Sequence, residues 1–436
     1  MAFSASSPKE GMHFSDRANA TLFPTDDPTL ISFDYGAPGP TLLPTSLITL
    51  AAAARFARPD ASNALQYGPV TGDKEFRYEL ARFLRREYGD EDVDMERLVV
   101  TSGATQAFFN LVTIFTNPAT VFLLEDPTYF LAAKMLRDHR IPSSRMVAIE
   151  TDAETGIRVD LLSTALDSLS ARDPQPPDVA GTYPYVLYLV PTHSNPTGST
   201  VPTPHREEIL RLARKHNILV ICDDVYQLLH YDTATPPPKR LVAFDDLAGE
   251  TGGNVISNCS FSKIFAPGAR LGWIEAPKRI VDAIKLAAVS YSGGSPNHLT
   301  SNLLIPLLHD NHLHTHLTHL RTQYSARLTA MLTALDTHLG STPGVKIHRP
   351  KGGYFVWVEL PADVDTTLLR KRVVEGLQSG EVGQQRVTFK QGADFSMSGD
   401  GCRNALRLAF AYYEPEVIAE GVRRLALVLR AVGVGV

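Results

Sequence analysis

Residues 260–273 read Ser-Phe-Ser-Lys-Ile-Phe-Ala-Pro-Gly-Ala-Arg-Leu-Gly-Trp, a lysine boxed by hydroxyls with an arginine seven residues on. The Lys263 amine can form a Schiff base with an aldehyde, while Ser260, Ser262 and Arg270 are the groups that hold a phosphate dianion. An aldehyde and a phosphate on one ligand suggest pyridoxal 5'-phosphate. Further polar groups fall at the ends of apolar runs. The run 218–226, Ile-Leu-Val-Ile-Cys-Asp-Asp-Val-Tyr, delivers Asp223 to pair with a protonated pyridine nitrogen and Tyr226 to reach a ring phenolic oxygen, with Asp224 read as an ordinary capping residue. Asn195 precedes a proline and presents its amide from the turn Asn-Pro-Thr-Gly. The stretch 101–107, Thr-Ser-Gly-Ala-Thr-Gln-Ala, opens a helix whose first N–H groups, around Gly103, Ala104 and Thr105, can face a phosphate. Tyr129 follows the next apolar run, where an aromatic can stack on a cofactor ring.

Such groups need a scaffold that brings strand ends together. Short runs rich in Val, Ile and Leu at 97–101, 120–125, 185–191, 218–223, 255–260 and 271–275 alternate with helical patterns at 105–115, 129–139 and 204–216. This predicts an α/β fold with a mostly parallel sheet buried on both faces, and parallel sheets gather chemistry where strands end. Beyond about residue 310 the pattern becomes a long helix at 312–339, strands near 353–359, 387 and 405–410, a helix at 366–378 and a last one at 414–429. That reads as a smaller α+β domain, with Pro-rich loops at 173–178 and 233–239 inside the larger region. At 436 residues the chain exceeds what one core of roughly 250–300 residues fills.

Taken in order, Gly103 and Thr105, Tyr129, Asn195, Asp223 and Tyr226, Lys263 and Arg270 resemble the class I/II aminotransferases of pyridoxal phosphate fold type I, the aspartate-aminotransferase-like superfamily, over about residue 31 to the C-terminus. The resemblance implies a large domain with a seven-stranded sheet between helices at 61–310, a small domain at 311–436, and an arm contributing to the small domain at 1–60. It also implies that Tyr67, in Gln-Tyr-Gly-Pro, reaches the phosphate of the neighbouring subunit in a homodimer. Arg407, in Asn-Ala-Leu-Arg, clamps the substrate carboxylate, and Gly36, in Phe-Asp-Tyr-Gly, flanks the substrate. The lysine motif is most similar to the branch of 2-aminoadipate and aromatic, kynurenine-type, aminotransferases. Two positions depart from the pattern near the expected substrate pocket: Gln391 replaces a proline in Gln-Gly-Ala-Asp-Phe, and His193-Ser194 precedes the Asn-Pro-Thr-Gly turn.

The activity implied is ping-pong transfer of an amino group from an aromatic or 2-aminoadipate-like L-amino acid to a 2-oxo acid. The same residues would also serve decarboxylation, elimination, racemisation or cyclisation, because the cofactor carries the electron sink. A transcription-regulator domain of this branch is the remote alternative, disfavoured because the matching region starts about 30 residues in. The net charge of −5 and its even spread argue against nucleic-acid binding. No run of 18 apolar residues or secretory leader is legible, and the three scattered cysteines suit a reducing compartment, so a soluble cytoplasmic enzyme is expected. The histidines from His309 to His319 read as a solvated helix face, and no metal is expected.

Overall fold

The structure, a computed structural model, describes residues 29–172, 181–245, 253–379 and 385–431. The Pro-rich loop at 173–178 therefore lies outside the described residues. The strands are β1 (Ile31–Ser32), β2 (Leu98–Thr101), β3 (Val121–Asp126), β4 (Met146–Asp152), β5 (Gly156–Ile157), β6 (Tyr185–Leu189), β7 (Ile218–Asp223), β8 (Val255–Ser260), β9 (Gly272–Glu275), β10 (Lys346–Ile347), β11 (Phe355–Glu359), β12 (Val387–Thr388), β13 (Lys390–Gln391) and β14 (Ala405–Ala409).

Strands β2 to β9 form one sheet in the order β2-β9-β8-β7-β6-β3-β4-β5. The pairs joining β8, β7, β6, β3 and β4 are parallel, β9 runs against both its neighbours, and β5 runs against β4. The sheet has eight strands where seven were expected, because the two-residue β5 folds back on the β4 edge. Strand β4 is not among the runs read from the sequence. Its segment Met-Val-Ala-Ile-Glu-Thr-Asp keeps only Ile149 fully buried, so it lacks the continuous apolar signature of the central strands. By contrast β6 and β7 are buried at every residue. Each buried Val, Leu or Ile there contributes about 1.5–3 kcal/mol of desolvation.

Helices at Ala104–Phe115, Phe130–Asp138 and Thr203–His216 match the sequence pattern, and six more among the described residues go unread there, including Thr45–Phe56, Lys74–Tyr88 and His298–His309. The second of these is fixed by local chemistry: the Asp73 carboxylate accepts from the N–H groups of Glu75 and Phe76, and Gly89 closes the helix at φ +60°. A smaller antiparallel sheet, β10-β11-β14-β13, packs with the 28-residue helix His312–Leu339 and the last helix, Pro415–Ala431. β1 pairs in parallel with β12, and Arg424 of the last helix donates to the Thr29 carbonyl, so the beginning of the described chain packs against its last part. Among the described residues no helix is long and apolar enough to cross a membrane.

Candidate active site

The six strands of the large sheet that run one way end on a common edge, and a cavity of about 390 Å³ lies between that edge and the small sheet. At its floor β7 delivers Asp223, 8% exposed, whose Oδ2 accepts a 2.7 Å hydrogen bond from the Tyr188 hydroxyl of β6. Its other oxygen, Oδ1, is buried without a partner. Burial pushes this carboxyl up to about 6; the Tyr188 bond and the Lys263 charge work against the rise, and neighbouring Asp224 adds to it. Asp224 points to the opposite side of the sheet, where it accepts from Ser257 Oγ of β8 at 2.5 Å; this is a buried bond between neighbouring strands and not the cap read from the sequence.

One strand over, Ser260 ends β8 and a tight turn follows, in which Phe265 N–H donates to the Phe261 carbonyl. The turn lifts Lys263 into the cavity, and Tyr354 fixes it from the small sheet by donating to the Lys263 carbonyl at 3.0 Å. The amine donates to the carbonyl of Gly36 at 2.8 Å. Burial, then the charge of Arg407, brings the amine down to about 8, with Asp223 opposing. A Cβ at Gly36 would sit 2.6 Å from the Phe355 ring, so only glycine lets the chain pass here.

The hydroxyls and arginine of the opening motif assemble at one end. Ser260 Oγ donates to Ser262 Oγ at 2.9 Å, and Arg270 Nη1 lies 3.5 Å from the same Ser262 oxygen. Gly103 sits beside them at φ +94°, capping the helix Ala104–Phe115, and a Cβ there would come within 3.4 Å of Arg270 and 3.7 Å of Ser260. Ala104, Thr105 and Tyr129 line the same cavity.

At the other end Arg407 rises from β14, 3% exposed. It donates to Asn195 Oδ1 at 2.9 Å and to the Asp34 carbonyl at 2.6 Å, and its guanidinium lies 4.1 Å from the centre of the Phe355 ring. Its Nε is buried without a partner, and burial lowers its ordinarily very high pKa to about 10. Asp34 is itself gripped by Arg370 through two bonds of 2.8 and 2.9 Å.

The cavity thus brings together Gly36, Ala104, Thr105, Tyr129, Asn195, Asp223, Tyr226, Ser260, Ser262, Lys263, Arg270 and Arg407, with Gly103 against its wall. Tyr67 is not brought in: it is 82% exposed and outside the cavity of its own chain. Of the two departures, His193 turns away from the cavity, with Nε2 3.1 Å from His230 Nδ1, because the segment Gly352-Gly353 packs against it. Gln391 stays outside the lining and donates to Asp394. The histidine run is a solvated face only in part: His314 Nδ1 lies 2.5 Å from Glu87, and half-buried His316 packs edge-on against Phe265. Tyr188, Asp34, Arg370, Phe355 and Lys390 were missed by sequence reasoning. Asp34 and Lys390 each adjoin a motif that was read, but Tyr188 inside a buried strand carries no signal of its own.

The donor set suits pyridoxal phosphate: a reactive amine, a buried carboxylate oxygen free to meet a ring N–H, and a hydroxyl-arginine cradle at a helix start whose φ of +94° at Gly103 favours glycine. The family model for aminotransferase class I and II matches residues 40–425. The chain belongs to this family. It is a pyridoxal phosphate-dependent transaminase of fold type I. An aromatic-amino-acid aminotransferase of Thermococcus litoralis is 32% identical over 95% of this chain and 91% of its own length. A 2-aminoadipate transaminase of Thermus thermophilus is 31% identical, covering 93% and 91%. Among solved structures, a Pyrococcus horikoshii kynurenine aminotransferase superposes with a TM-score of 0.81 at 29% identity, over 98% of this chain and 96% of that one.

Proposed function

We propose that this transaminase takes its amino group from an L-amino acid with an aromatic or 2-aminoadipate-like side chain and gives it to a 2-oxo acid. The observation that carries the reading is the convergence of the Lys263 amine, the partnerless Asp223 Oδ1 and the Arg407 guanidinium in one cavity. When bound, pyridoxal phosphate supplies an aldehyde carbon for the amino group and a ring that withdraws the electron pair left on the substrate Cα. Arg407 takes the α-carboxylate with its planar fork, while Asn195 and Asp34 hold that fork in place. Lys263 would anchor the cofactor, and its amine, once free, would be the base at Cα. An amine brought to about 8 keeps a neutral fraction near pH 7, as proton transfer requires. With the cofactor bound, Asp223 Oδ1 would hold the proton on the ring nitrogen, while Tyr226, the Asn195 amide and Tyr129 would hold and orient the ring. Gly103, Ala104, Thr105, Ser260, Ser262 and Arg270 would hold its phosphate.

A second copy of the chain completes the site in this reading. Tyr67 stands exposed among other uncovered apolar residues, Leu65, Leu286, Val289 and Tyr291, and a partner covering them would receive Tyr67 at its own phosphate cradle. A reducing, cytoplasmic setting is supported by the buried cysteines Cys222 and Cys259, whose thiols burial makes still harder to ionise.

The decisive experiment adds single amino acids to the purified holoenzyme and follows the cofactor absorbance. Conversion to pyridoxamine phosphate by an aromatic or acidic amino acid, reversed by a 2-oxo acid, is the expected result. Release of ammonia and a 2-oxo acid without that conversion would refute it.

A further inference from the structure

The substrate end of the cavity contains a second cation that the transfer of the amino group does not use. Lys390 on β13 lies directly across the antiparallel ladder from Arg407 on β14, so both side chains leave the small sheet on one face. Both line the cavity. The Lys390 side chain is only 15% exposed; its Nζ lies 2.8 Å from Asp394 Oδ2 and 5.3 Å from the centre of the Phe130 ring. Asp394 is held through its other oxygen by the Gln391 side-chain amide at 2.8 Å. Gln391, which stands where the family resemblance leads one to expect proline, therefore steadies Asp394 and through it the ammonium. Proline has no side-chain donor for that task.

An ammonium has three donors, and one carboxylate oxygen engages one of them. The remaining donors sit in a largely dry wall, where a neutral side chain would leave them unsatisfied and a carboxylate would meet them with charge-assisted bonds. Two cations side by side on one ladder form a two-point anchor for a ligand carrying two carboxylates.

We propose that Lys390 is a specificity-determining residue that takes the distal carboxylate of a dicarboxylic amino acid, of glutamate or 2-aminoadipate length, while Arg407 takes the α-carboxylate; Asp394 and Gln391 are its positioning residues. The inference rests on the transaminase reading above and adds the residue that sorts the substrates.

The test measures the half-reaction of the holoenzyme with L-2-aminoadipate, L-glutamate and L-phenylalanine for the wild type, Lys390→Met and Lys390→Arg. The wild type converts at least one of the dicarboxylic amino acids. In Lys390→Met the ratio of kcat/KM for that substrate to kcat/KM for phenylalanine falls about 10- to 100-fold, mostly through KM, and Lys390→Arg recovers most of the ratio. Should Lys390→Met fail to fold, Lys390→Gln reads the same ratio. An unchanged ratio, or equal losses on all three substrates, overturns the proposal. A wild type that converts phenylalanine but neither dicarboxylic amino acid overturns it too and leaves the transaminase reading standing. Inertness towards all three amino acids defeats that reading, and the proposal with it.

Discussion

The two ends of the cavity are built in different ways. The end assigned to phosphate draws Thr105 from the first turn of the helix that follows β2, Ser260 from the end of β8, and Ser262 and Arg270 from the short segment joining β8 to β9, so its groups come from adjoining stretches of one sheet. The end assigned to substrate is a long-range assembly: Arg407 meets a carbonyl 373 residues away at Asp34, and Asp34 meets Arg370 across 336 residues. The first kind of construction fixes one ligand group and tolerates change around it. The second can be retuned from several distant segments, which suits the part of an enzyme that chooses among amino acids.

Variants can break or sharpen this contrast. Replacing the residue shared by both ends, Lys263→Ala, lowers transamination by at least about 10³-fold in the half-reaction assay, and borohydride no longer fixes cofactor to the chain. Cofactor still fixed to that variant would place the anchor on another lysine. Arg407→Met lowers kcat/KM for dicarboxylic and neutral amino acids alike by roughly 10²- to 10³-fold, the cost of removing a buried charge that binds a charge. A loss confined to cofactor affinity would contradict its place at the substrate end.

Tyr188→Phe removes the donor that holds the Asp223 carboxyl down to about 6. The carboxylate is the form that pairs with the ring N–H, and it is lost as pH falls through that value. Without the donor the loss sets in at higher pH, so kcat/KM drops about 3- to 10-fold at pH 6 and less at pH 8. A uniform drop across pH would show that Tyr188 acts through packing alone. At the opposite end, Ser262→Ala weakens cofactor affinity by about 5-fold, roughly one hydrogen bond, and shifts amino-acid KM less than it shifts cofactor affinity. Tyr67→Phe gives the smallest effect, about 2- to 5-fold on cofactor affinity, measured by equilibrium titration of the apoenzyme. A fully active monomer in sedimentation would remove Tyr67 from the site.

The same contrast explains what could be read from the chain alone. Lys263, Asp223, Asn195 and the Gly103–Thr105 stretch each follow an apolar run that is visibly a strand, so their common edge is legible from alternation and order. The central strands were legible for the same reason, whereas β4 was hidden by its polar residues. Asp34, Arg370 and Phe355 act only through partners hundreds of residues off, and no spacing in the sequence records such a meeting. Tyr188 looks like one more buried aromatic in a strand. The role proposed for Tyr67 requires a second copy of the chain, and within one chain the residue is simply exposed.

The bond between the Lys263 amine and the Gly36 carbonyl gives the start of the chain a direct hand in the chemistry. The segment carrying Gly36 is also tied to Arg407 by the Asp34 carbonyl and to β12 by β1, so its backbone meets Lys263, Arg407 and the last third of the chain at once. Trimming or fusing this protein near its first strand is thus a change to the reaction centre, not to a tail.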